Sequence, residues 1–153
     1  MRKILISGCL YHEYPIRYNN TSAKIRDPRF NKWDAEGRFI PFCPEVYAGL
    51  PIPRPAATRI GGRIMEENGN DATDAYTRGA EEAVRLAKEH DVLCCIMMEY
   101  SPSCASKIIE NETRSFDIPG EGLTTEYLRK AGFKIFSQYD LPAVEAYIKE
   151  HDQ

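Results

Sequence analysis

A run of seven apolar residues at 92–98, VLCCIMM, constrains the fold more than any other feature of this chain. Such an uncharged run is typical of a strand that is buried on both faces within a parallel sheet. Shorter apolar runs at 4–7, 39–42 and 134–137 indicate further strands, although Pro41 interrupts the second. Helical patterns separate these runs. This alternation predicts an α/β fold, with a mainly parallel, Rossmann-like sheet and helices on its faces.

Three segments have the residue spacing of helices. Residues 71–90 place apolar side chains on one face and charged side chains elsewhere, and Asp71 is expected to cap the start. A second helix should begin near Thr124 and stop at Gly132, because glycine readily adopts the conformation that ends a helix. A third should cover 141–151, where the apolar residues form one stripe.

Two stretches fit neither a helix nor a central strand. Residues 49–62 contain three prolines and a pair of adjacent glycines, and proline lacks the backbone N–H that both structures need. Residues 64–70 form a mostly polar stretch outside the predicted helices and strands. Neither stretch resembles a linker between domains, so we expect one compact domain over residues 1–153.

Charge and hydropathy exclude several classes of protein. The formal net charge is −3, which gives no sign of a surface that coats long nucleic acids or binds membranes. No apolar run approaches the roughly 20 residues that span a bilayer, and the first run is too short for a signal peptide. We therefore expect a cytoplasmic protein whose five cysteines are thiols or metal ligands rather than disulfides.

Three cysteines, Cys9, Cys43 and Cys104, each follow a predicted strand closely and lie in turns containing Gly, Pro or Ser. The carboxyl ends of parallel strands share one edge of a sheet, so these thiols could form a three-point metal site with an open position. Their spacing contains no C-x-x-C motif, so each could instead be a small buried hydrophobic residue. Cys94 and Cys95 lie within a strand and face opposite sides of it, which predicts core packing for both.

Three thiolates favour some metal centres over others. Zinc in a structural site usually takes a fourth protein ligand, and His12 is the histidine nearest to one of these cysteines in the sequence. A 4Fe–4S cluster held by three cysteines instead leaves one iron open to bind and polarise a sulfur-bearing substrate. A nucleophilic pair of Cys9 and His12 is a further alternative, although no third group that would orient it is evident.

Several polar residues near the cysteines are candidates for substrate chemistry. Glu45 lies two positions after the second cysteine and could serve in acid–base catalysis, or simply begin a helix. Ser101 and Ser103 precede the third cysteine and could orient a substrate or cap a following helix. Arg54 and Arg17 could bind an anion, or they could be solvated or structural arginines.

Motifs along almost the whole chain match a known family when they are taken together and in order. They are ILISGCL at 4–10, RY at 17–18, FCPEV at 42–46, GLPIPRP at 49–55, RGA at 78–80, SPSC at 101–104, GEGLT at 120–124 and LRKAG at 128–132. On these motifs the chain resembles the DUF523 family, which includes the thiouracil desulfurases (desulfidases). Members often have Leu-Gly where this chain has Tyr11 and His12, and we expect these two residues and Tyr14 to line the mouth of the site.

The resemblance implies a cofactor, its cysteine ligands and an activity, and further site residues are assigned alongside it. It implies a 4Fe–4S cluster held by Cys9, Cys43 and Cys104, with one iron open. The activity implied is removal of sulfur from a thiolated pyrimidine, either thiouracil or a thiouridine nucleotide. The residues assigned to catalysis are Glu45 and Ser101, and those assigned to substrate binding are Ser103, Arg54, Arg17 and His12.

The resulting hypothesis is hydrolysis of a C–S bond without net electron transfer. The open iron acts as a Lewis acid on the thiocarbonyl sulfur, Glu45 activates the water that supplies the carbonyl oxygen, and hydrosulfide is released at the iron. An alternative is a protein that senses redox state or sulfur species, or binds small molecules, through a cluster or bare thiols without turnover. A nucleotide-binding module without metal is a third possibility, although no G-x-G-x-x-G motif follows the first strand.

Overall fold

The computed structural model describes residues 1–11, 24–51, 55–111, 115 and 117–152. The helices and strands are, in chain order, β1 (Ile4–Ser7), α1 (Pro28–Ala35), β2 (Phe39–Phe42), α2 (Pro44–Tyr47), β3 (Ala57–Ile60), β4 (Arg63–Glu66), α3 (Thr73–Glu89), β5 (Cys94–Met97), β6 (Ile108–Glu110), β7 (Asp117–Pro119), α4 (Leu123–Lys130), β8 (Ile135–Ser137) and α5 (Leu141–His151). A 3-10 turn, Gly8–Leu10, follows β1 directly.

Within the described residues, the central sheet has four parallel strands in the order β2-β1-β5-β8. Ile6 of β1 lies beside Pro41 on one side and Ile96 on the other. The two inner strands, β1 and β5, are buried along their whole length, as their uncharged sequences predict. The predicted α/β fold with a mainly parallel sheet is therefore confirmed.

Helices cover both faces of this sheet. On one face, Ile4 of β1 packs in a core that contains Phe30 of α1 and Val144 of α5. On the other face, Leu5 of β1 belongs to a core that contains Ala83 of α3 and that α4 completes. Successive side chains of a strand point in opposite directions, so neighbouring residues of β1 serve different layers.

The adjacent cysteines of β5 follow the same rule. Cys94 and Cys95 are both fully buried and belong to the cores on opposite faces of the sheet. Burial raises the pKa of Cys94 to about 12 and the pKa of Cys95 well above its ordinary value. Both therefore remain neutral thiols that fill the core, as predicted.

The three predicted helices correspond to α3, α4 and α5. Helix α5 has the predicted bounds, and α4 stops just before Gly132, whose φ of 98° lies in the left-handed region. Helix α3 begins at Thr73 rather than at 71, because the Asp71 carboxylate accepts the Thr73 N–H at 2.9 Å from outside the helix. Every helix that the structure describes is too short or too polar to cross a membrane.

Two antiparallel hairpins lie where no strand is expected from the sequence. Strands β3 and β4 pair across a turn at Gly61 and Gly62. They lie within residues 49–70, most of which fit neither a helix nor a central strand in the sequence analysis. Strands β6 and β7 form the second hairpin. Strands of three or four residues are too short for a clear alternation of apolar and polar residues. Helix α1 was also not predicted, although Asp27 caps it by accepting the Arg29 N–H.

Candidate active site

The cysteines Cys9, Cys43 and Cys104 lie at the carboxyl edge of the central sheet. Cys9 is in the 3-10 turn after β1, Cys43 directly follows β2, and Cys104 lies in the turn after β5. Because β1 has β2 and β5 as its two neighbours, these three strand ends are adjacent. Burial raises the pKa of the Cys9 thiol, and the Cys104 and Cys43 thiols raise it further. The structure therefore brings the three thiols within electrostatic range of one another.

Free thiolates are unfavourable at this edge of the sheet. The pKa of Cys104 is raised to about 12, mainly by burial and also by Cys43 and Glu45. Ser7 and Ser103 lower it, but by less. A cationic metal centre relieves such a penalty, because it binds cysteine as the thiolate. Without such a centre, Cys9 and Cys104 are therefore neutral thiols.

Two kinds of metal centre place different demands on three thiols. Within the part of the chain that the structure describes, no three Cys, His, Asp or Glu side chains are arranged to hold a single metal ion. One zinc ion draws each thiolate to about 2.3 Å from itself, so its ligand atoms must nearly touch. A metal–sulfur cluster spreads its metal atoms, and thiolates attach at separate corners. A cluster therefore does not require the three sulfur atoms to converge on one point.

Helix α2 places both Cys43 and Glu45 at the site. The helix begins after Cys43, whose carbonyl accepts the Tyr47 N–H at 3.0 Å. Pro44 takes the first helical position, where no N–H is needed, and Glu45 follows with only 8% of its surface exposed. Burial is the largest cause of the raised pKa of Cys9, the neighbouring thiols come next, and the Glu45 carboxylate raises this pKa further. This acid therefore lies beside the cysteines, as well as in the first turn of a helix.

Ser101 shapes the turn that carries Cys104. Its Oγ accepts the N–H groups of Ser103 and Cys104, both at 3.1 Å, and its carbonyl accepts the Ala105 N–H at 3.1 Å. Tyr100, directly before it, has a φ of 69° in the left-handed region. The structure therefore shows Ser101 positioning the backbone of Cys104, and its assignment to catalysis stays a prediction.

The same turn supplies the hydrogen bonds that begin α4, where no side-chain cap is present. The first N–H groups donate at 2.8 to 2.9 Å to carbonyls of the turn: Gly122 to Ala105, Leu123 to Pro102, and Thr124 to Ser103. In return, the Thr125 hydroxyl donates to the Cys104 carbonyl at 2.7 Å. The first N–H groups of a helix have no partner within it, so the turn and the helix stabilise each other.

Ser103 is fully buried within this arrangement. Its hydroxyl is hydrogen-bonded to Thr124 Oγ1 at 2.8 Å, and a further hydrogen bond to the Cys104 thiol lowers the pKa of that thiol against the larger effect of burial. The alternative that Ser101 or Ser103 caps a helix immediately after the turn is wrong, because the chain continues into β6. The role of Ser103 in substrate binding stays a prediction.

A buried carboxylate that no motif indicated, Glu99, closes the loop around this turn. Only 2% of it is exposed. It accepts the N–H groups of Ser106, Lys107 and Ile108 at 2.9 to 3.2 Å, and the Ser106 hydroxyl at 2.6 Å. Burial raises the pKa of Glu99, but these hydrogen bonds outweigh it and hold the pKa below its ordinary value. An ionised Glu99 therefore joins the two ends of the loop that contains Cys104.

Two further residues were missed although they act on the cysteines. Ser7, the last residue of β1, lowers the pKa of the Cys104 thiol against the effect of burial, and its hydroxyl donates to Met97 Sδ at 3.7 Å and accepts the Met98 N–H at 3.1 Å. Its position in the ILISGCL motif was the available signal. Lys24 is half-buried. Burial, the neighbouring thiols and Glu45 raise the pKa of Cys9, and the positive charge of Lys24 lowers it by a smaller amount. Lys24 belongs to none of the motifs, so the sequence contained no signal for it.

Three of the predicted substrate-binding residues lie outside the part of the chain that the structure describes. These are His12, Arg17 and Arg54, and Tyr14 lies outside it too, so the roles of all four stay predictions. Tyr11 is described, and its hydroxyl donates to Asp34 at 2.6 Å while its ring packs near the aromatic rings of α1 and β2. These contacts hold Tyr11 against the protein. That it also lines the mouth of the site stays a prediction.

Comparisons with known proteins cover almost the whole chain. A sequence model of the 2-thiouracil desulfurase family matches residues 4–140. The uncharacterised protein YbbK of Bacillus subtilis (strain 168) is 34% identical over 149 residues, covering 90% of this chain and 97% of YbbK. The solved structure of the 4Fe-4S-dependent thiouracil desulfidase TudS (DUF523Vcz) is 36% identical, with a TM-score of 0.93, and covers 98% of this chain and 99% of that chain. The resemblance to DUF523 is thus confirmed, and the chain belongs to the 2-thiouracil desulfurase family.

Proposed function

We propose that this protein is a 4Fe–4S-dependent desulfidase that removes sulfur from a thiolated pyrimidine, either thiouracil or a thiouridine nucleotide. The observation that carries the proposal is the meeting of Cys9, Cys43 and Cys104 beside Glu45 at one edge of the sheet. TudS, whose name states both the cofactor and the activity, shares the fold over nearly the whole chain. This likeness supports the same cofactor and substrate class here.

The side chains present suit a 4Fe–4S cluster. Such clusters are held by cysteine thiolates, and hydrogen bonds to the sulfur atoms tune their potential. Cys9, Cys43 and Cys104 would be the ligands, and Ser7 and Ser103 already lower the pKa of the third of them against the effect of burial. Three protein thiolates leave one of four irons without a protein ligand. When bound, the cluster would supply a Lewis-acidic iron with affinity for the sulfur of the substrate.

The reaction requires no oxidant or reductant. Water forms a new C–O bond at the carbon that carried the sulfur, and the C–S bond breaks. The sulfur leaves with the bonding electron pair as hydrosulfide, and the protons of water are shared between Glu45 and the products. Because the carbon keeps its oxidation state, the protein has to supply only proton transfer and orientation.

Glu45 is the residue we assign to proton transfer. Its carboxylate is nearly buried and lies close enough to affect both Cys9 and Cys104. A water molecule between this carboxylate and the substrate would give up its proton as it attacks the carbon, and Glu45 would return that proton to the departing sulfur. Ser101 is only partly buried, in the turn that carries Cys104, and we assign its hydroxyl to orienting the ring.

The test is anaerobic reconstitution with iron and sulfide, followed by assays of sulfide release from 2-thiouracil, 4-thiouracil and thiouridine monophosphate. We expect the visible absorption of an iron–sulfur cluster and sulfide release from at least one substrate. Cys9→Ala, Cys43→Ala and Cys104→Ala should each lose both. Cys94→Ala is the matched control, because it removes a buried thiol at the amino end of β5, whereas the site lies at the carboxyl edge of the sheet.

Two results would contradict the proposal. Wild-type protein that takes up no cluster would overturn the cofactor and with it the activity. Wild-type protein that holds the cluster but releases no sulfide from any of the three substrates would favour the sensing or binding alternative.

A further inference from the structure

The backbone on both sides of Cys104 is held by hydrogen bonds. In the peptide group before this residue, the Ser103 carbonyl accepts the Thr124 N–H at 2.8 Å, and the N–H of the group donates to Ser101 Oγ at 3.1 Å. In the peptide group after it, the carbonyl accepts the Thr125 hydroxyl at 2.7 Å. The N–H of that second group donates to the Ser101 carbonyl at 3.1 Å. All four polar groups of the two peptide planes that flank Cys104 therefore have partners.

These bonds fix the direction in which the Cys104 side chain leaves the backbone. A residue has two soft backbone dihedrals, φ and ψ, because the peptide groups on either side of it are planar. When both planes are held, φ and ψ are held as well, and so is the direction of the Cα–Cβ bond. Apart from rotation about that one bond, the place of the Cys104 sulfur therefore depends on the groups that hold the two planes.

Thr125 holds one of these planes with its side chain. It is the third residue of α4, and only 1% of it is exposed. A threonine in a helix can donate its hydroxyl to a carbonyl in the preceding turn of the same helix, as Thr77 of α3 does to the Thr73 carbonyl at 2.8 Å. The Thr125 hydroxyl instead donates to Cys104, which lies 21 positions earlier in the sequence. This hydroxyl therefore serves the Cys104 turn rather than its own helix.

We infer that Thr125 is a positioning residue for the metal centre: its buried hydroxyl fixes the Cys104 carbonyl and thereby holds the Cys104 thiol in place as a ligand. This inference rests on the cofactor of the proposed function, and it concerns a residue that lies just beyond the GEGLT motif at 120–124. Thr125 takes no part in bond making or breaking. Residues that orient metal ligands without binding the metal typically contribute about 10–100-fold to the affinity for it.

The experiment compares Thr125→Val, which keeps the shape of the side chain and removes the hydroxyl, with Thr125→Ser, which keeps the hydroxyl. Thr125→Ala is a second variant without the hydroxyl, and it differs from Thr125→Ser by that group alone. Thr77→Val is the matched control, because it removes a hydroxyl that bonds within α3. Each protein is unfolded in urea without iron. Each is also reconstituted and assayed for bound iron and for the rate at which an iron chelator removes it.

We expect Thr125→Val and Thr125→Ala to fold without iron and to lose bound iron to the chelator about tenfold faster than wild type, because the Cys104 carbonyl no longer has its donor and the thiol is less well held. Thr125→Ser should lose iron at a rate close to that of wild type, since its hydroxyl can donate to the same carbonyl. Thr77→Val should match wild type, because its hydroxyl does not reach the Cys104 turn.

Several results would overturn the inference. Thr125→Val and Thr125→Ala proteins that hold iron as firmly as wild type show that the hydroxyl is not needed. Faster loss that Thr125→Ser shares means that the requirement is for the methyl group, and faster loss that Thr77→Val shares means that the effect is general. If neither variant without the hydroxyl folds in the absence of iron, the hydroxyl serves the fold itself rather than the position of Cys104.

The inference and the proposed function fail in different ways. A wild-type protein that takes up no cluster contradicts the proposed function, and the Thr125 inference falls with it. A wild-type protein that holds the cluster but releases no sulfide contradicts the proposed function alone, because the rates of iron loss still test Thr125. Loaded, active wild-type and Thr125→Val proteins that lose iron at the same rate contradict the Thr125 inference alone.

Discussion

Gly122 at the start of α4 lies against the backbone of Ser103, with no room for a side chain between them. A Cβ atom built on Gly122 would overlap the Ser103 carbonyl carbon and would lie 2.5 Å from the Cys104 nitrogen. These are backbone atoms, so the overlap cannot be relieved by rotating a side chain. The position of the Cys104 turn therefore depends on glycine at 122.

Replacing Gly122 with alanine should move the Cys104 turn away from α4. We expect Gly122→Ala to lower the free energy of unfolding by about 1–3 kcal/mol, the usual range for overpacking, and to reduce iron bound after reconstitution. Urea unfolding and iron analysis check this. Gly62→Ala is the control, because a Cβ at Gly62 meets no atom within 4 Å. Equal iron content in both variants would contradict the prediction.

Gly79 of α3 has the corresponding role for Cys43. A Cβ at Gly79 would lie 2.5 Å from both the Cβ and the carbonyl oxygen of Pro44, directly after that cysteine. Alanine favours helix by up to about 1 kcal/mol over glycine, which offsets part of the overlap. We therefore expect Gly79→Ala to change the free energy of unfolding less than Gly122→Ala does, yet still to reduce bound iron. Iron content equal to that of Gly62→Ala would refute this.

Replacing Glu45 with glutamine should separate proton transfer from cluster binding. Glu45→Gln keeps the size of the side chain and removes its ability to accept a proton. We expect iron content to be unchanged and sulfide release to fall by about 10²–10⁴-fold, the usual contribution of a general base. The control is Glu81→Gln, at an exposed position on α3. If Glu45→Gln retains near-normal turnover, another group is the base.

Glu99 should make the fold more sensitive to acid. Its pKa in the folded protein lies below the ordinary value of 4.5, so its stabilising effect is complete above that pH and is lost as the pH falls through the lower native value. Glu99→Gln should lower the free energy of unfolding at pH 7 by about 2 kcal/mol. The difference from wild type should shrink in unfolding experiments below pH 4.5.

The control for this comparison is again Glu81→Gln, whose difference from wild type should be small at both pH values. A Glu99→Gln variant with the same deficit at both values would mean that ionisation of Glu99 is not what stabilises the loop.

The position of the cysteines was predictable because it follows from strand order. The apolar runs of β1, β2 and β5 indicate parallel strands, and a residue just after such a strand lies at the carboxyl edge. Glu99 and Lys24 were not predictable, because the groups they act on are fixed by loop conformations that leave no periodic pattern. The burial of Ser103 was not predictable either, because it depends on how α4 meets the turn rather than on the sequence around that serine.

The pairing of β1 with β5 also determines when the site comes into existence. Cys9 and Cys104 are far apart in the sequence, and this pairing brings their turns together. Pairing of such distant segments carries the entropic cost of closing a long loop. A chain still being synthesised therefore has Cys9 and Cys43 but lacks the third thiol until β5 and the turn beyond it have joined the sheet. Delivery of iron and sulfide to a complete ligand set has to follow folding of the sheet, so iron supplied earlier meets at most two of the three ligands.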